Sequence, residues 1–162
     1  MRVVHFVGGE RTAIVPAIPF GEVWTCNRVW RWRPWLPARC SLWFDLHQLS
    51  LYADDPEHVR FLESLGRRAM MSDPLPSASP FPKEPLLAGY GSRMWNTPGW
   101  LCAYALETGV GELHLWACDP MKIEKRAEAL GFVWWCGYSE SRGMRIVPHG
   151  GWLAESCEYG SC

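Results

Sequence analysis

Thr97-Pro98-Gly99-Trp100-Leu101-Cys102-Ala103-Tyr104-Ala105-Leu106-Glu107-Thr108-Gly109-Val110-Gly111-Glu112-Leu113-His114-Leu115-Trp116-Ala117-Cys118-Asp119 is the stretch that decides the fold. Asn96 or Thr97 offers a capping side chain, and Pro98 suits the first helical position, where a missing N–H costs nothing. Trp100, Leu101, Tyr104, Ala105 and Leu106 give the helix apolar faces, and Gly109 closes it as a C-cap. Glu112 to Ala117 then reads as a strand that ends at Asp119.

Working outward, Arg2 to Val7, Glu22 to Cys26 and Ser41 to Leu46 are further short apolar runs. They are nearly continuous rather than alternating, which predicts strands covered on both faces. Pro56 to Arg68 reads as a helix, with Val59, Leu62 and Leu65 on one side, and Ala69 to Ser72 as a short strand behind it. Asp73 to Pro85 holds Pro74, Pro76, Pro80, Pro82 and Pro85. Prolines at that density exclude a regular helix or a central strand and predict a long extended loop, of the kind that serves as lid, partner arm or spacer. Downstream, Pro120 to Leu130 reads as a second helix. Val133-Trp134-Trp135-Cys136 and Met144 to Val147 read as final strands with a Gly/Ser-rich turn between them. The alternation predicts an α/β fold, with a mostly parallel sheet and helices on both faces, in a single domain over residues 1–162.

Composition sets the bounds. The chain has 162 residues, of which 48% are apolar and 20% charged. That excludes a wholly disordered chain and a minimal disulfide scaffold. A formal charge of −1 gives no basis for non-specific nucleic-acid binding, which rests on excess positive charge. The start, Met1 to Gly9, lacks a signal-peptide apolar core, and no window has the length of a transmembrane helix. The expectation is a soluble, cytoplasmic chain with no membrane partner. Seven cysteines without a Cys-x-x-Cys read as reduced, mostly buried thiols. Only Cys157 and Cys162 lie close together, so no metal site and no required cofactor are expected. The 11 Trp residues are the unusual number, and they point to stacking surfaces as well as core.

In parallel α/β sheets, ligands sit outside the carboxyl ends of the strands, so polar residues at those ends are the candidates. Gly8 and Gly9 follow the first strand and could bring backbone N–H groups to a phosphate, or could simply form the strand's exit turn. Asn96-Thr97-Pro98-Gly99 places a helix N-terminus beside the sheet, with the Thr97 hydroxyl and the Gly99 amide as ligand contacts or as parts of the helix cap. Asn27 lies just past the second strand. It opens the run Arg28-Val29-Trp30-Arg31-Trp32-Arg33-Pro34-Trp35, which interleaves guanidinium groups with indoles. Arg28 and Trp30 fit phosphate pairing and base stacking, and the run fits a protein interface equally well. Asp45 and His47, two apart, are the one candidate acid/base pair, with His47 the catalytic candidate; they also fit ribose contact or turn capping. Asp119 binds ligand or caps the following helix. No Ser/His/Asp signature, P-loop or paired-carboxylate motif is present.

The 97–119 segment resembles the "T-S-G … A … A … G … E-I-x-L … D" segment of bacterial Rossmann-like sialyltransferases and of a related family of pterin pyrophosphokinase-like domains. Thr25-Cys26-Asn27-Arg28 is similar to that family's "R-C-N" segment. Small phage-encoded proteins of this type look similar across the whole length, including Trp43 to His47. The resemblance implies a Rossmann-like nucleotide cleft, with Asn27 and Thr97 at the positions that contact a cytidine nucleotide in the sialyltransferases. The chain departs from the pattern at Pro98, which replaces a serine, and at Gly8-Gly9-Glu10. The family's later tyrosines and its catalytic histidine have no match. The leading expectation is a protein that binds a nucleotide or nucleotide-derived small molecule, in the phage setting sequestering a host nucleotide signal in the host cytosol. The alternatives are a sugar-nucleotide-dependent glycosyltransferase and an interaction module built on the Trp/Arg run, either of which is compatible with a homo-oligomer. Whether the chain is an enzyme stays open at this point.

Overall fold

The apolar runs become strands because each residue of a sheet covered on both faces must be apolar whichever way it points. The computed structural model describes residues 1–18, 20–91, 96–119 and 126–150. Its strands are β1 (Arg2–Val7), β2 (Glu22–Cys26), β3 (Leu42–Asp45), β4 (Ala69–Met71), β5 (Ser79–Pro80), β6 (Val110–Trp116) and β7 (Arg145–His149). All pairings are parallel, and they form one sheet in the order β5-β4-β3-β2-β1-β6-β7. The architecture is α/β and Rossmann-like.

The helices are α1 (Leu36–Arg39), α2 (Pro56–Leu65), α3 (Lys83–Tyr90), α4 (Thr97–Glu107) and α5 (Arg126–Ser141). Leu36 of α1 and Leu62 and Leu65 of α2 pack with Val7, Val23 and Trp43 on one face of the sheet. Leu86 of α3, Leu101 and Ala105 of α4, and Phe132 and Trp135 of α5 pack with Val4, Phe6, Trp24 and Leu113 on the other. Trp24, Trp43 and Trp135 are fully buried. Cutting any of them to alanine would cost about 3–5 kcal/mol, so much of the tryptophan content is core.

The chain runs outward from central β1 through β2, β3, β4 and β5, then crosses to β6 on the far side of β1. The connections leaving β1 and β6 therefore part in opposite directions, and a crevice opens at their carboxyl ends.

Two expectations change. Residues 133–136 are not a strand but the middle of α5. Phe132, Trp135, Cys136 and Ser139 are buried on one side; that i, i+3, i+4, i+7 spacing is a helical period, which the run of aromatics disguised. The proline-dense stretch 73–85 is a loop only in part. It contributes β5, a two-residue edge strand ending in Pro80, and the first turn of α3, where Pro85 needs no intrahelical donor. Of the helix expected over 120–130, residues 120–125 lie outside the described residues. No helix among the described residues is long and apolar enough to cross a membrane.

Candidate functional site

The crevice is an open cleft of about 780 Å³, within the range of roughly 300–1,000 Å³ typical of small-ligand sites. Its walls come from the exits of β1, β2, β3 and β6 and from the start of α4. Phe6, Leu46, Trp100 and Phe132 supply apolar lining. Of the expected site residues, Gly8, Gly9, Asn27 and Arg28 line it from the first two strands, and His47, Thr97 and Asp119 from the others.

The strand exits are locked tightly. Gly8 N donates to Trp116 O at 2.7 Å and Glu10 N to Ala117 O at 3.1 Å, stitching the end of β1 to the end of β6. A Cβ on Gly8 would meet Ala117 O and Cys118 Sγ, each at 2.5 Å. Gly8 is thus required for close backbone packing, and its amide is not available to a phosphate; Gly9 faces open space. Asn27 N likewise donates to Phe44 O at 2.9 Å, so this residue presents its side chain rather than its amide to the cleft. Asn27 and Ala117 have φ of 52° and 54°. Left-handed backbone at a non-glycine residue costs about 1–2 kcal/mol, and here both such positions border the cleft.

At the start of α4, Asn96 does the capping: its side-chain oxygen accepts from Gly99 N at 2.9 Å, while its Nδ2 donates to Glu128 O at 2.8 Å. The Gly99 amide is therefore committed to the cap, and its missing Cβ makes room for Trp135, 3.0 Å from where a Cβ would lie. Pro98 has no N–H and Trp100 N donates to Asn96 O. That leaves the Thr97 amide and hydroxyl as what the helix end offers a ligand.

Asp45 is fully buried behind the cleft wall rather than on it. Its Oδ2 lies 2.7 Å from His58 Nε2 and its Oδ1 accepts from Tyr52 OH at 2.7 Å. Trp30 Nε1 donates to His58 Nδ1 at 3.0 Å, which puts the imidazole proton on Nε2, aimed at Asp45. Burial by itself would raise the Asp45 pKa, but hydrogen bonds from His47, His58 and Tyr52 outweigh it and hold the carboxyl down at about 2. The Tyr52 hydroxyl donates to Asp45, so at 3.1 Å it accepts from His47 Nδ1. His47, its side chain 44% exposed, thus turns Nδ1 inward toward Tyr52 and Asp45. Its pKa is raised, first by the hydrogen bond to Asp45 and against some desolvation.

The Trp/Arg run divides. Trp30 stacks on Phe61, ring centroids 4.8 Å apart, and holds His58, so it stands outside the cleft. Arg31 pairs with Asp55 and Glu57, and Arg33 donates to Glu10 O and Ala13 O. Arg28 and Trp32 remain on the cleft. Tyr52 and His58, the partners that organise Asp45, went unseen in the sequence, because nothing local ties residue 45 to residues 52 and 58.

Cys26 and Cys118 also line the cleft, and burial pushes both thiols up, leaving no ready thiolate. Among the described residues no group of three or more His, Cys, Asp or Glu is arranged to hold a metal ion. No protein-family model, curated protein or solved structure matches the chain.

Proposed function

We propose that the chain binds a nucleotide or nucleotide-derived small molecule in this cleft. The observation that carries the reading is the meeting of Thr97, at the amino end of α4, and Asn27, at the exit of β2, in one crevice with an aromatic residue from each side of the sheet. Trp100 belongs to the α4 side and Trp32 to the α1–α2 side. Thr97 supplies a backbone N–H and a hydroxyl suited to a phosphate or ribose oxygen. The tryptophans offer faces to a flat base. Asn27 Oδ1 and Trp32 Nε1 are buried without hydrogen-bond partners among the described residues. Each such atom costs about 1–3 kcal/mol, and a ligand that turns these side chains and completes their hydrogen bonds recovers part of that.

Calorimetric titration of the whole chain against nucleosides, nucleotides and sugar nucleotides tests the reading. At least one should bind, and Thr97→Val should weaken it about tenfold with the melting temperature unchanged, since Asn96 holds the cap. Silence across the panel would end the proposal. Sugar-nucleotide transfer is the second reading, favoured by the Asp45–Tyr52–His47 relay reaching the cleft. A cleaved nucleotide recovered after incubation with activated sugars would support it.

A further inference from the structure

His47 and Arg28 both lean on the Tyr52 ring from the cleft side. The Arg28 guanidinium carbon lies 5.0 Å from the ring centroid, and the His47 ring meets it edge-on with centroids 6.1 Å apart. Two cationic side chains held this close oppose each other, and Arg28 indeed works against protonation of His47. Each is anchored from behind by one nitrogen. Arg28 Nε sits 2.7 Å from Asp55 Oδ2. Asp55 also takes Arg31 and caps α2 at the His58 amide, so its charge is shared among three partners. His47 is anchored through Nδ1. The outward nitrogens, both Nη of Arg28 and Nε2 of His47, hold no partner among the described residues, on side chains 42% and 44% exposed that line the cleft.

We propose that Arg28 and His47 form the anion subsite of the cleft, where the phosphate oxygens of a nucleotide or other phosphate ester are held, with Asp45 and Tyr52 positioning the imidazole. This rests on the nucleotide reading above and adds to it the end of the cleft at which the charge sits. Three donor nitrogens on two cations suit a tetrahedral oxyanion, and a guanidinium can hold two of its oxygens at once. The repulsion between Arg28 and a protonated His47 is relieved when an anion settles between them. The groups facing His47 are Asp45 on β3, Tyr52 on the turn before α2 and Arg28 after β2, with His58 of α2 behind Asp45. Glu10, Asp119 and Glu128 line the same cleft and already have interactions within the chain. Only the protonated imidazole can donate from both nitrogens, so anion affinity should fall as pH rises through the raised His47 pKa.

The test is an NMR titration of the full chain with sodium sulfate, whose charge does not change between pH 5.5 and 8.5, following the His47 ring in the parent and the backbone amides of the cleft in parent and variants. The expected result is saturable binding that weakens by up to tenfold per pH unit above the His47 pKa. It should weaken about tenfold at pH 6 in His47→Gln and again in Arg28→Gln, whereas His47→Lys should bind with no pH dependence in this range. Binding that ignores pH, or that is unaltered in His47→Gln and Arg28→Gln, overturns the inference. Calorimetry with a nucleoside and its 5′-monophosphate separates the sources of anion. A monophosphate no tighter than its nucleoside overturns the subsite while leaving nucleotide binding standing. Sulfate captured by His47 and Arg28 with no nucleoside or nucleotide bound supports the subsite for free phosphate and removes the nucleotide reading.

Discussion

Two groups of histidines in this protein face opposite electrostatic circumstances. His47 and His58 gather around the buried carboxylate of Asp45 at the carboxyl end of the sheet. His5, His114 and His149 gather mostly around one another, on β1, β6 and β7. His5 stacks on His114 with centroids 4.3 Å apart, and His114 Nδ1 lies 2.7 Å from His149 Nε2. An indole closes each group: Trp30 donates to His58 Nδ1 at 3.0 Å, and Trp116 to His5 Nδ1 at 3.2 Å. The outcomes differ in sign. In the first group the carboxylate raises the pKa of His47. In the second, burial first and then the neighbouring imidazoles lower His5, and take His149 to about 4. Glu112, 2.6 Å from His114, is the second group's carboxylate, and it is divided between His114 and Arg145. A carboxylate beside His47 favours its charged form, whereas burial and neighbouring imidazoles disfavour the charged forms of His5 and His149.

The sharpest way to break the comparison is to remove the anion. Asp45→Asn keeps the shape but offers one acceptor where His58 Nε2 and Tyr52 OH both donate. One donor is left facing an amide N–H group inside the protein. The expected loss is about 3 kcal/mol, the scale of a charged hydrogen bond together with an unsatisfied buried group. A drop in the urea midpoint reads it, and the His47 pKa should return toward that of a free imidazole. An unchanged midpoint would mean that Asp45 does not organise this end of the sheet.

The next test separates the groups by pH. His5 and His149 have folded-state pKa values below the ordinary 6.5, so the unfolded chain binds protons first as pH falls. Their contribution to stability is complete above 6.5 and declines as pH drops toward about 4. His47 runs the other way: its contribution is complete below 6.5 and is lost as pH rises through its raised pKa. Asp45, held at about 2 against an ordinary 3.8, adds its own loss below about 4, as pH falls on toward 2. The melting temperature should therefore fall between pH 6.5 and 4, and His149→Gln should shrink that fall. A variant with the same acid slope as the parent would remove His149 from the account.

What the sequence allowed and what it concealed follow from the range of the interactions involved. The strands β1, β2 and β6 were legible because their apolar runs are local, and the cap at Asn96 because a cap reads only the next three residues. The strand-end rule then placed Asn27, His47 and Thr97 on one cleft. Residues 133–136 misled because adjacent tryptophans have strand propensity, while the helical period shows only over the longer span from Phe132 to Ser139. Trp30, Asp45 and Gly99 were placed at the right end of the sheet, the Trp30 ring read as stacking on a base or an interface, the Asp45 carboxylate as doing acid/base work, holding a ribose or capping a turn, and the Gly99 amide as meeting a ligand or the helix cap. Each is committed within the protein, through pairings that only folding creates: Asp45 with His58, Trp30 with His58, and Gly99 with the Asn96 cap. Nor could spacing show that His5 and His114, 109 positions apart, are register partners on neighbouring strands.

The smallest expected effect discriminates most finely between the two groups. Trp30→Phe and Trp116→Phe each remove one indole N–H and keep most of the ring, for about 1 kcal/mol apiece. The stability changes are similar, but the tautomers should not be. His58 keeps its proton on Nε2 after Trp30→Phe, because Asp45 Oδ2 still accepts it at 2.7 Å. His5 Nε2 is buried with no partner among the described residues, so the Trp116 donation is what assigns the His5 tautomer. After Trp116→Phe nothing selects between its nitrogens. Ring 15N shifts should therefore report a single tautomer for His58 in the first variant and a mixture for His5 in the second. The same tautomeric response in both variants would mean that the buried carboxylate is not what distinguishes one group from the other.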